Sequence, residues 1–218
     1  MNNKITSLII FLLLLSFTTI AQVPVREEPR HKKVLQNKYI RLLNVWIPPA
    51  DTSLFHIHST PSLFLHFTDR NIASQIKGKD WVAEKTMAGK SWYRSFVNDT
   101  LVHRVANIDS LPFHVTDIEI LSAYKPTAQL KPLPFTVLFD NEKAGAYQLT
   151  TASFNKNIIT GRGPMIAELV AGKEVLYYDA RRKKLTPIKT GNYQYIKPGS
   201  SFYFSANDEV NLVLFEIK

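Results

Sequence analysis

From residue 34 onward the chain is written in short runs of alternating apolar and polar residues, each closed by turn residues. Ile40-Arg41-Leu42-Leu43-Asn44-Val45-Trp46-Ile47 stops at Pro48-Pro49-Ala50-Asp51. Residues 53–58 halt at Ser59-Thr60-Pro61, and residues 62–67 are closed by Thr68-Asp69-Arg70-Asn71. Runs over 81–87, 91–96, 101–106 and 113–121 continue the series. Alternation with period two puts every second side chain on one face of a strand, and no stretch here sustains the i, i+3, i+4, i+7 apolar stripe of a helix. Turns recurring every 8–12 residues or so predict an all-β sandwich or barrel. Twelve prolines against eight glycines, with 11% aromatic residues, suit strands joined by tight turns.

Residues 125–134, from Lys125-Pro126 to Lys131-Pro132-Leu133-Pro134, break the pattern and read as a proline-stiffened linker. Strand-like runs then resume over 135–139, 146–154, 165–170, 175–179, 192–196, 201–206 and 210–217. The halves echo one another. Pro61-Ser62-Leu63-Phe64-Leu65-His66 compares with Pro164-Met165-Ile166-Ala167-Glu168, and Asp117-Ile118-Glu119-Ile120 with Leu214-Phe215-Glu216-Ile217. The expectation is an internal duplication giving two tandem barrels or half-barrels, residues 22–124 and 135–218.

The first twenty-one residues stand apart. Met1-Asn2-Asn3-Lys4 is a short positive start, residues 5–20 are almost wholly apolar, and Thr18-Thr19-Ile20-Ala21 ends in small residues. That is the pattern of a secretory signal peptide, cleaved after Ala21. Its apolar core falls short of the roughly 18 residues of a membrane span. A secreted or periplasmic location is expected, with no integral membrane segment after cleavage. Zero cysteines exclude disulfides, thiolate metal sites and cysteine nucleophiles. The formal charge of +9 permits an anionic partner, but nucleic acid is not expected outside the cytoplasm. Arg181-Arg182-Lys183-Lys184 reads as a solvated hairpin tip, attraction to an anionic envelope surface being the alternative. No nucleophile elbow, phosphate loop or dinucleotide fingerprint is present.

Chemistry is left to six histidines. His56-Ile57-His58 places two imidazoles on one strand face, roughly 7 Å apart at the backbone, close enough to converge on an ion. His103 shares a strand face with Leu101, Val105 and Asn107. His31 belongs to a basic lead-in with Lys32 and Lys33, and His114 follows Pro112-Phe113; both read as bystanders. The second half carries no histidine. Ile158-Ile159-Thr160-Gly161 answers to the His56–His58 segment, and Tyr203 to His103.

The order of these residues resembles the cupin superfamily. Its first motif is a strand ending in Pro or Gly, a short acidic turn, H-x-H, a glutamate and a further strand; residues 47–58 follow it. Its second motif, a glycine, a polar loop and H-x3-N, is matched by Gly89 and His103-Arg104-Val105-Ala106-Asn107. The resemblance covers residues 34–121 well and 135–218 only as a degenerate copy. It implies a jelly-roll barrel, or two joined as a bicupin, with a divalent transition metal on His56, His58 and His103. Two departures stand out: Ser62 occupies the place of the glutamate ligand, and Asn98-Asp99 replaces the usual proline-glycine step. Three neutral imidazoles suit Zn, Fe, Cu or Ni, with Mn also open. Ser62, His66, Arg94 and Asn107 are the expected pocket or supporting residues. A small-molecule ligand and a second copy of the chain are the partners left open. The alternatives are a small-ligand or sugar-binding barrel that has lost its metal, or an envelope interaction protein without one.

Overall fold

The computed structural model describes residues 22–126, 130 and 132–218. The signal-like segment, residues 1–21, lies outside them, as does part of the linker. Among the described residues no helix is long and apolar enough to cross a membrane.

The first set of strands runs β1 (Val23–Pro24), β2 (His31–Gln36), β3 (Ile40–Ile47), β4 (His56–His58), β5 (Ser62–His66), β6 (Asn71–Ile76), β7 (Trp81–Lys85), β8 (Ser91–Arg94), β9 (Leu101–Asn107) and β10 (Phe113–Ile120). The second runs β11 (Thr136–Asp140), β12 (Ala144–Thr150), β13 (Met165–Ala171), β14 (Glu174–Asp179), β15 (Lys184–Lys189), β16 (Tyr193–Ile196), β17 (Phe202–Ser205) and β18 (Asn211–Ile217). In the first half, a sheet of order β1-β4-β9-β6-β7 faces a sheet of order β2-β3-β10-β5-β8. In the second, β11-β12-β18-β13-β16 forms one sheet and β15-β14-β17 the other. These interleaved, almost wholly antiparallel sheets are jelly rolls, as the alternation predicts. The orders match term by term: β3, β10, β5 and β8 correspond to β12, β18, β13 and β16, and β9, β6 and β7 to β17, β14 and β15.

Four strands escape the sequence alternation, the two-residue β1 among them. β2 and β15 are rich in lysine because their outer positions meet water. β15 is also a sheet edge, where Pro187 is tolerated. β6 begins at Asn71, which reads as the end of a turn.

Period two decides what each face of the central strands meets. On β10, Phe113, Val115 and Asp117 point into the first barrel, while Ile118 and Ile120 join a different cluster. That cluster takes Leu42, Leu63 and Leu65 from the first half and Ala146, Ile166, Val213 and Phe215 from the second. It is a dry layer between the two barrels. Thr116 and Glu168 meet in the same layer, Thr116 Oγ1 donating to Glu168 Oε2 at 3.0 Å. Burial raises the Glu168 carboxyl to about 8. The second barrel has its own filled interior, including Met165, Tyr177, Phe202 and Phe204. The first has only a small cluster of Val45, Ile47, Ile72, Phe113 and Val115. The space beside that cluster is the site.

Candidate metal centre

The register of β4 on β9 sets His56 directly opposite His103. His58, two residues along β4, projects from the same face, and both its neighbours' rings lie close: 5.0 Å from His56 and 5.1 Å from His103, centre to centre. A fourth ring arrives from β2, where His31 lies 4.6 Å from His56 and 6.4 Å from His58. The ligand atoms of His31, His56 and His58 fall within 4.8 Å of one another. His58 Nε2 and His103 Nε2 are 3.1 Å apart. The structure therefore brings His56, His58 and His103 together and adds His31, which the sequence reads as a bystander in a basic lead-in. His31 is 8% exposed.

The hydrogen bonds behind the rings set their tautomers. His56 Nδ1 is 2.9 Å from the carbonyl of Leu54. A carbonyl only accepts, so Nδ1 carries the proton and the neutral ring presents a bare lone pair at Nε2. That Nε2 is buried with no hydrogen-bond partner. Burial and the neighbouring His31, His103 and His58 hold the His56 imidazole far below its ordinary range, so it stays neutral. His103 is lowered to about 3, first by burial and then by His58, His31 and Arg94. Its Nδ1 lies 3.3 Å from Ser74 Oγ. His58 Nδ1 is 3.4 Å from Asp117 Oδ2, within ion-pair range but too poorly aligned for a hydrogen bond. Phe96 stacks on the same ring at 5.0 Å.

His31 Nδ1 is 2.7 Å from Glu28 Oε2. Glu28 is tied down further by the backbone N–H groups of Arg30 and Leu54, at 2.7 and 3.0 Å. Burial pushes its carboxyl up, but the bonds from His31 and the backbone outweigh that and hold it below the usual range. Two of the four imidazoles thus have a carboxylate at the nitrogen turned away from the cluster. Such partners orient metal-bound histidines and raise their basicity.

A cavity of about 120 Å³ opens beside the four rings. Val45, Ile47, Ile72, Val105 and Phe113 give it an apolar wall, with Phe64 and Trp92 stacked at 4.8 Å on another side. Glu84 of β7 is an exposed carboxylate on its lining. His66 also lines it, ringed by Trp92 and Phe113 at 4.9 and 5.4 Å, with Nδ1 buried and unpartnered. Burial, with the Lys90 charge adding, lowers His66 to about 4.

The other residues proposed from sequence make different contacts. Ser62 is fully buried and donates to the carbonyl of Thr60 at 3.1 Å. Asn107 clamps a loop, donating to the carbonyls of Ile47 and Leu111, both at 2.9 Å. Arg94 pairs with Asp99 at 3.0 Å and lies 4.8 Å from the Phe96 ring centre. None of these three lines the cavity. His114 sits elsewhere, stacked between Trp46 and Phe67 at 4.0 and 4.4 Å. Glu28, Ser74, Glu84 and Asp117 complete the surroundings of the cluster, and no motif announces them. The one available signal is the i, i+3 spacing of Glu28-Pro29-Arg30-His31, which would suggest a local pair.

No family model and no curated protein matches the chain. Solved structures do match, over most of its length. AerE from Microcystis aeruginosa is 14% identical with a TM-score of 0.57, covering 88% of this chain and 98% of its own. The cupin 2 conserved barrel domain protein from Leptotrichia buccalis is 10% identical with a TM-score of 0.55, covering 86% of this chain and 88% of its own. The fold is that of the cupins. The salicylate 1,2-dioxygenase from Pseudaminobacter salicylatoxidans, 10% identical with a TM-score of 0.57, covers 96% of this chain and 81% of its own. At such identities the likeness speaks for the cupin fold alone and leaves chemistry to the residues of this chain.

Proposed function

We propose that the first barrel is a metal-binding compartment, holding one divalent transition ion on His56, His58 and His103 with His31 as a fourth nitrogen donor. The carrying observation is the buried, partnerless Nε2 of His56 beside two further Nε2 atoms only 3.1 Å apart. Where both rings carry their proton on Nδ1, as His56 does, those two Nε2 atoms oppose lone pair to lone pair. A cation between them relieves the repulsion and satisfies His56 as well. An all-imidazole set favours Zn, Fe, Cu or Ni over oxygen-seeking ions.

When bound, such an ion supplies Lewis-acid polarisation or a redox centre. The chain's own residues do the rest. Leu54 and Glu28 fix the rings of His56 and His31, and Phe96 limits rotation of His58. The apolar wall excludes water from a space comparable with a cavity that holds benzene, about 150 Å³. A small, largely apolar molecule reaching the ion past Glu84 and His66 is the matching ligand. We assign the chain to a secreted or periplasmic setting on the pattern of residues 1–21.

Metal analysis of the purified full-length protein tests this. Near one equivalent is expected in the unsubstituted chain and background in the variant with His56, His58 and His103 all changed to Ala. His31→Ala should keep the ion but bind it at least about tenfold more weakly. Equal metal content in the unsubstituted chain and the triple variant would overturn the reading.

A further inference from the structure

The second barrel, whose interior is filled, carries a separate cleft on its surface. It measures about 400 Å³ and lies between the β14–β15 hairpin and the β16–β17 turn. Arg181, Arg182 and Lys184 approach from the first side and Lys197 from the second. Asp179 is the lining carboxylate, but the hairpin uses it: its Oδ1 accepts the backbone N–H groups of Arg181 and Arg182, each at 3.0 Å. Its Oδ2 is 3.8 Å from Arg182 Nε. Among the described residues, Arg181, Lys184 and Lys197 are in no ion pair. Two loops therefore aim a surplus of positive charge at one hollow.

The hollow is not merely charged. Tyr177, which is 5% exposed, closes part of its wall, and Thr186, Gln194, Ser200 and Ser201 add hydroxyl and amide groups. Several short hydrogen-bonding groups and converging cations complement a polyhydroxylated molecule that bears an acid group. Opposing walls with cations on both sides focus the field into the cleft more than a scatter of surface charges would. Its volume suits a ligand of one or two sugar rings, larger than the cavity of the first barrel admits.

We propose that this cleft binds a sugar acid, a carboxylated saccharide of one or two rings, independently of the histidine site. The hairpin arginines and Lys197 pair with the carboxylates, and the serine, threonine and glutamine side chains bond the ring hydroxyls.

Calorimetric titration of the full chain with digalacturonate tests the assignment, with maltose and inorganic phosphate as comparison probes. Binding at low ionic strength is expected, and it should weaken at least tenfold near 1 M salt, where the screening length is about 3 Å. Arg181→Ser combined with Lys197→Ser should also weaken it at least tenfold; both side chains are exposed, and an unchanged unfolding midpoint checks the fold. Maltose should bind more weakly than digalacturonate, and chelator should change nothing. Phosphate binding as tight as digalacturonate would overturn the saccharide assignment. Absent binding, binding indifferent to the double substitution, or binding abolished by chelator would each overturn the cleft as a site.

Discussion

At the register where His56 faces His103 in the first barrel, Ile159 faces Phe202 in the second. The same strand order thus encloses two unlike interiors. Asp117, behind His58, corresponds through the β10–β5 and β18–β13 pairings to Leu214, and His66 to Leu169. These four polar groups turned toward the cavity in one barrel have apolar counterparts in the other. One glutamate position is kept in both, paired with an arginine from a different place: Glu119 with Arg41 of β3 at 2.6 Å, and Glu216 with Arg162, ahead of β13, at 2.5 and 2.8 Å. Those pairs sit at the end of the central strand, away from the cavity, where they hold the sheet together. The contrast teaches where stability was given up. The second barrel is packed to be filled; the first leaves buried nitrogen and carboxylate atoms without partners, each costing about 1–3 kcal/mol.

Grafting one interior onto the other should give the largest effect. His56→Ile with His103→Phe is expected to remove metal retention entirely, measured by elemental analysis. In chelator the double variant should unfold at or above the urea midpoint of the unsubstituted chain, because orphaned polar atoms have been replaced by apolar ones. A lower midpoint would show that the histidines support the barrel without an ion.

Next in size, Phe202→Ala should cost about 3–5 kcal/mol by urea unfolding, the usual penalty for emptying a packed aromatic site. A cost below about 1 kcal/mol would mean that the second interior is looser than its burial implies. Between the barrels, Thr116→Val removes the one donor to Glu168 among the described residues and should cost about 1–3 kcal/mol.

The remaining effects are in pH. His66, His103 and His114 have folded values near 4, 3 and 4, below the ordinary 6.5. Their contribution is present above about pH 6.5 and lost as pH falls toward those values. Glu168 acts oppositely: its value is raised from 4.5 to about 8, so its contribution is present below 4.5 and drains away as pH climbs to 8. Glu168→Gln should flatten the fall in stability between about pH 5 and 8 in a profile taken from pH 5 to 9. An alkaline limb identical in both proteins would place the titration elsewhere.

Much of this was legible in the residues. The alternation of 40–47 and 113–121 predicts β3 and β10, and the two-residue spacing of His56 and His58 fixes their shared face. Asn107 carries the motif spacing but serves as a loop clamp. His31 was hidden because its place depends on the pairing of β2 with β3 and on Glu28, neither of which leaves a periodic trace in His-Lys-Lys-Val-Leu-Gln. Counting along the second half matches Tyr203 to His103, whereas the bridge from Ile159 assigns that place to Phe202. One residue of slip turns a side chain through the sheet. Tyr203 accordingly packs outside against Tyr178 at 4.7 Å.

The dry layer between the halves has a consequence for anyone wishing to shorten this protein. A fragment ending near residue 124 would keep all four clustered histidines yet lay Leu42, Leu63, Leu65 and Ile118 bare to solvent. Such a greasy sheet invites self-association. The histidine-free half is in that sense a built-in lid for its neighbour's back wall, and the smallest well-behaved unit is the pair.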